Sequence, residues 1–427
     1  RRGPMKQLAT QSAAMDATFT LLDLLQQRKT RRFGLGMTLP SGPLQYTSHH
    51  EPIPLSQEEE RYLIYAAIGR SGRNLGDMHF VGKPGSSEGQ GNALMNFRSR
   101  TVPSPCSAQT TQLFYTNDEG VFFVADAASA DHSWDLDIVQ LQPSRLEIPR
   151  EVPFMLPFNQ WYTNRPGTTL FFPVTNIALL YLNLLLMMFS EDTGYFIVDT
   201  DNGNAGCGLD AFRKSAGGHL HDDIRARRMF SLRELDAAIC ETAIQEQGII
   251  CEHISLMQQA LGLGGGIQSV GSGRHLLGLE PHIYPGLGFQ FVVPPGKPMR
   301  ANPVGIPGVW EGPMPPFVAS MKEAVTRLVD SKFGPNGTFR KAHEQTWVRP
   351  GSAQQVPEHS ARAVDATIAF TEYVLATYGR FPAHADACKS VVACQTHHLD
   401  EDFYATFYPD SALPDAHREH MHAWHSH

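Results

Sequence analysis

The chain has 427 residues, 42% apolar and 18% charged, with a formal net charge of −8, a globular composition long enough for one large domain or two ordinary ones. The acidic balance excludes general nucleic-acid binding, which needs a basic face to displace counterions from phosphates. Six cysteines, Cys106, Cys207, Cys240, Cys251, Cys388 and Cys394, show no C-x-x-C spacing, which argues against a disulfide framework or a zinc knuckle and predicts a reducing, cytoplasmic setting. No secretory pattern opens the sequence, and the missing initiator Met leaves a processed or truncated start open.

Residues 1–12 read as a tail, and "AAMDATFTLLDLLQQ", 13–27, as an amphipathic helix that runs into the basic "RKTRRF". A second helix starts at "PLSQEEERYLIYAAIGRSGRN", where Ser56 and Glu59 have the spacing of a capping box. It is expected to end at the glycines of 69–72, which leaves Ser71, Arg73 and Asn74 on a loop. "TQLFYTND" and "EGVFFVAD" then predict a hairpin turning between Asn117 and Gly120. The Pro-rich and aromatic stretch 135–170 reads as a long connection or lid.

"LFFPVTNIALLYLNLLLMMF", 170–189, nearly has the length of a membrane span, but Pro173, Thr175, Asn176 and Asn183 interrupt it and "SEDTG" follows. A buried or interface helix over 174–189 is expected instead of a span. "GYFIVDTDNGNAGCGLDAF" predicts a short strand and a glycine-rich loop, and 233–261 a long helix. "GLGFQFVVPP" is a further strand, and helices are expected near 317–332 and 360–378.

The stretch "QQALGLGGGIQSVGSG", 258–273, invites comparison with a dinucleotide fingerprint and fails it. A helix precedes its glycines where a strand is needed, and Ile267 or Ser269 falls where the third glycine belongs. In "RKTRRF" the arginine forks and one hydroxyl are what a phosphate monoester requires, although helix ends favour cations in any case. An asparagine such as Asn74 can satisfy both donors and acceptors of a ring, or simply close a turn.

Taken in order, "RKTRRF", "SGRN" and "QALGLGGG" resemble the nitroreductase superfamily of FMN-dependent oxidoreductases, and "PSPCSAQTTQLFYTNDEGVFF" is similar to the strand entry of its thiazoline-oxidase branch. The resemblance spans about 20–305 and implies an α+β fold, with a mixed or antiparallel central sheet sandwiched by helices in an interlocked homodimer. It implies one FMN-binding domain over 13–312, with a lid-like insertion at about 135–170, and a helical, His-rich extension over 313–427.

By the same resemblance, Arg28, Lys29, Thr30 and Arg32 meet the FMN phosphate, which Lys297 and Arg300 close. Ser71, Arg73 and Asn74 meet the flavin or its ribityl chain, with Ser107 and Gln109 nearby, and backbone N–H groups of Gly264, Gly265 and Gly266 reach the ring near N5. The implied reaction is hydride or electron-pair transfer from a reductant such as NAD(P)H to a small organic acceptor. The sequence departs from the family at "GDMHF", which follows the Asn loop.

Eight of the 19 histidines fall between His384 and His427. His417 and His420 share a helical face, and with His422, or with Glu419 or Asp400, they are candidate ligands of a first-row metal ion. Phe403, Tyr404, Phe407, Tyr408 and Trp424 predict that this tail folds against something. Two alternatives stand beside the oxidoreductase: a non-catalytic small-molecule binder on the same fold, and a metalloprotein using the C-terminal histidines.

Overall fold

A computed structural model describes residues 20–82, 93–125, 137–341, 346–384 and 390–425, apart from the side chains of 269–270 and 390–392. It opens with α1 (Leu21–Gln27), β1 (Thr38–Leu39), β2 (Tyr46–Thr47) and α2 (Gln57–Ile68). β3 (Arg70–Arg73), β4 (Arg98–Arg100), β5 (Thr111–Asn117), β6 (Gly120–Ala125) and β7 (Asp137–Gln142) follow. Next come β8 (Thr169–Thr175), α3 (Ile177–Met188), β9 (Phe196–Val198), β10 (Met229–Ser231), α4 (Leu232–Ala260), β11 (Gly264–Ser272) and α5 (Gly273–Leu277). The last third holds β12 (Gln290–Val292), β13 (Asn302–Ile306), β14 (Trp310–Glu311), α6 (Met321–Phe333), α7 (Ala361–Tyr378), β15 (Ser390–His397), α8 (Glu401–Phe407) and α9 (Asp415–His425).

The chain is thus mixed α+β, built on a six-stranded antiparallel sheet in the order β11-β15-β8-β5-β6-β7. Alternation along the strands divides the core. Leu113, Tyr115 and Phe171 face one side with α2 and α4, where Leu63, Ile64, Ile250 and Ile254 meet them. Phe114, Phe123 and Phe172 face the other, against Leu276, Phe289 and Trp310. That second face is covered by α5 and by the small sheet β12-β13-β14, so helices flank the main sheet on one side more fully than on the other. Every residue of β8 is buried, as a strand covered on both faces requires.

The helix expected over 13–27 appears as α1, with 13–19 outside the described residues. Three expectations change. The stretch 135–170 is not all connection, because β7 forms the sheet edge beside β6. "SGRN" is not a loop, because Arg70–Arg73 pairs with Arg98–Arg100. The apolar run 170–189 splits into β8 and α3 at Asn176, whose side chain accepts the N–H of Leu179. α3 then buries its apolar surface within the chain against Phe370, Val325 and Leu235, so the apolar face expected at a subunit interface has an intramolecular partner. Among the described residues no helix is long and apolar enough to cross a membrane.

The C-terminal quarter is woven into the fold. β15 lies between β11 and β8, with Gly265 opposite Thr396 and Cys394 opposite Phe171. The aromatic tail packs as expected: Phe403 stacks on Phe33 at 4.1 Å, and Tyr404 and Leu413 join the same cluster.

Candidate functional site

The basic run and the glycine stretch meet. The carbonyl of Arg31 accepts the N–H of Gly265 at 2.7 Å, and the two residues form an antiparallel bridge on the open edge of β11. An extended backbone sends alternate side chains to opposite sides, and "RKTRRF" sorts accordingly. Arg31 is buried, donating Nη1 to Gln259 Oε1 at 2.9 Å and Nε to the carbonyl of Ala412 at 2.6 Å. Arg28, Thr30 and Arg32 stay exposed. Thr30 and Arg32 flank Gly266, where an added Cβ would lie 2.8 Å from Thr30 Cγ2 and 3.6 Å from Arg32 Nε. Lys29 reaches the carbonyl of Ser411.

Close approach explains the glycines. An added Cβ on Gly264 would strike Leu399, and one on Gly265, at φ +148°, would strike the carbonyl of Gln395. The expectation that Gly265 offers its N–H to a ring is corrected, since that N–H belongs to Arg31. The alternation of an antiparallel ladder turns Gly264 and Gly266 N–H groups toward β15. Beside these glycines lie two buried groups without a hydrogen-bond partner among the described residues: the Tyr162 hydroxyl and both ring nitrogens of His397. Burial pushes the His397 imidazole down to about 3.

The other expected residues go elsewhere. Ser71 Oγ bonds Ser99 Oγ and the carbonyl of Arg100, Arg73 pairs in register with Arg98, and Asn74 Oδ1 accepts the N–H of Gly76. Ser107 and Gln109 hold left-handed backbone conformations, φ 55° and 51°, in the turn before β5. Lys297 is exposed, and Arg300 lies over the Tyr378 ring at 4.8 Å. Arg300 also lines a cavity of about 180 Å³ with Asp199, Asp201, Arg233 and Asp236.

The C-terminal histidines converge, but not as a set of His417, His420 and His422. Nε2 atoms of His398, His420 and His425 lie 2.8, 2.6 and 3.1 Å from a single atom, Glu59 Oε1. Glu59 Oε2 is the capping oxygen for the Ser56 N–H. Burial acts to raise the Glu59 carboxyl, and the three imidazoles crowding its oxygen act more strongly to lower it. His417 turns away, with Nδ1 3.0 Å from the carbonyl of Gly262, and burial pushes it down to about 4. His422 is exposed. The capping box made Glu59 legible in the sequence, while its histidine neighbours come from distant elements that no spacing rule connects.

No protein-family model and no curated protein matches the chain. Among the solved structures that do match, a "putative nitroreductase" from Ralstonia eutropha JMP134 aligns over 62% of this chain and 82% of its own at 14% identity. Its TM-score is 0.26, too low for element-by-element correspondence.

Proposed function

We propose that the protein is an FMN-dependent oxidoreductase that passes electron pairs from a reductant such as NAD(P)H to a small organic acceptor. The observation that carries this reading is the meeting of "RKTRRF" with the glycine stretch, joined through Arg31 and Gln259 across 228 positions of sequence. It leaves Arg28, Thr30 and Arg32 exposed on one extended segment. Two guanidinium forks and a hydroxyl suit a phosphate dianion. That donor chemistry supports the phosphate end of the cofactor. At the ring end, the Gly265 N–H is bonded to the Arg31 carbonyl, and the Tyr162 hydroxyl and the His397 ring nitrogens are buried polar groups that have no partner among the described residues.

In this reading Arg28 and Arg32 bind and orient the phosphate, Arg31 holds the segment to α4, and the glycines let that segment lie flat against β11. The cofactor, when bound, supplies the hydride chemistry, so no acid–base triad is needed. A homodimer with the flavin at the subunit interface belongs to the same proposal.

The absorbance spectrum of the purified protein tests it. Flavin bands, retained by wild type and lost in Arg28→Ala/Arg32→Ala with an unchanged circular dichroism spectrum, are expected. Each lost charge-assisted bond should weaken binding by about tenfold or more. A colourless protein that takes up no added FMN would defeat the reading. Bound flavin that NAD(P)H, dithionite and thiols all fail to reduce would replace it with a non-catalytic binder.

A further inference from the structure

The group around Glu59 has more acceptors than hydrogens can reconcile. His398 Nδ1 lies 2.9 Å from the carbonyl of Ile53, so the proton of a neutral ring belongs on Nδ1. Its Nε2 lone pair then points at Glu59 Oε1, another acceptor, 2.8 Å away. His425 Nε2 is 3.1 Å from His398 Nε2 and also 3.1 Å from the same oxygen. His420 Nε2 crowds that oxygen from a further direction at 2.6 Å. Supplying an Nε2 proton to each ring would force two N–H groups together at His398 and His425 and would make His398, whose other proton already sits on Nδ1, a cation in a buried site. A single divalent cation removes the conflict, because every one of these lone pairs becomes a ligand.

We infer that Glu59, His398, His420 and His425 hold a first-row divalent metal ion of the zinc class. Their four candidate ligand atoms all lie within 4.8 Å of one another. Tetrahedral zinc with bonds of roughly 2.0–2.1 Å sets ligand atoms about 3.3 Å apart. The contacts to Oε1, 2.6, 2.8 and 3.1 Å, fall short of that spacing by roughly 0.2–0.7 Å. Three imidazoles and one carboxylate suit a borderline cation better than calcium or magnesium, which take oxygen ligands. The surrounding groups also fit. The Ile53 carbonyl orients His398, and the Ser56 N–H holds the other oxygen of Glu59. Trp424 covers His420 at a ring separation of 4.7 Å.

Side chains of Glu59 and His398 are fully buried and those of His420 and His425 nearly so, at 5% and 14% exposed. Four protein ligands in such a setting leave no open position, which makes the ion structural. It would clamp α9 onto the start of α2 and the end of β15. The segment it secures also carries the His417 contact to Gly262 and the Ala412 carbonyl that accepts from Arg31.

The test uses the purified full-length chain, stripped with a chelator and titrated with Co²⁺, together with metal analysis of the protein as isolated. One equivalent of metal per chain and the intense visible bands of four-coordinate cobalt are expected. His425→Ala and His420→Ala should each lower Co²⁺ affinity by on the order of 100-fold or more. His422→Ala, on the exposed side of α9, should leave it unchanged. His425 ends its helix, so that variant is the one that keeps its fold if His420→Ala does not. Absence of stoichiometric uptake, or uptake equal in wild type and His425→Ala, would overturn the inference. So would uptake that disappears in His422→Ala.

Discussion

His384 shows what burial does to a single titratable group. Its ring packs against Trp310 at 4.4 Å and Phe289 at 5.3 Å, and Nε2 has no hydrogen-bond partner among the described residues. Burial pushes it down to about 3, against a hydrogen bond to the Pro303 carbonyl that acts the other way. The folded protein keeps this ring neutral while the unfolded chain protonates it below about 6.5. Stability is therefore lost as pH falls from about 6.5 toward 3. His384→Leu should flatten that slope by up to one proton, about 1.4 kcal/mol per pH unit, in denaturant midpoints measured across the window. An unchanged slope would place the acid sensitivity elsewhere. Glu60 works with the opposite sign. Burial raises it to about 7, so its contribution is present below about 4.5 and fades as pH rises through 7.

α4 and β11 respond differently to the same kind of substitution. Gly248 sits exposed inside the 29-residue α4, with open space where a Cβ would go. Gly248→Ala should raise stability by about 0.5–1 kcal/mol in chemical unfolding. A loss would reveal a contact made by that backbone. Gly265→Val faces the carbonyl of Gln395 at a positive φ, so it should unpair β11 from β15 and lower Tm whether or not flavin is present. Gly266→Ala meets only the side chains of Thr30 and Arg32. It should keep the apo-protein Tm close to wild type while weakening FMN binding, and a reversed pattern would sever the glycine from the cofactor.

On the scale of the molecule, β15 makes the C-terminal quarter indispensable. Removing residues 381–427 takes a strand from between β11 and β8, together with Ala393 and Cys394, which lie in the cores on opposite faces of the sheet. The truncated chain should be recovered insoluble or without a cooperative unfolding transition. A soluble fragment with a native-like melt would show that β11 can close onto β8 without it. Two exposed backbone edges opened in the middle of a sheet argue against that outcome.

Local signals were legible wherever a local rule operates. The Ser56–Glu59 capping box, the Asn117–Gly120 hairpin and the α4 periodicity each follow from backbone sterics and short-range hydrogen bonds. "SGRN" misled because its glycine reads as a loop, while the ladder to Arg98–Arg100 makes it a strand. "GLGGGIQSV" carries little strand signal of its own and becomes β11 because β15 and Arg31 take up its backbone groups from both sides. The histidine set shows the same division. The tail announced itself by composition, but Glu59 and His398 joined His420 and His425 only when α9 packed against α2 and β15. Propensity and capping act over a few residues. Which edge a strand pairs with, and which four side chains converge, is decided by burial shared among segments hundreds of residues apart.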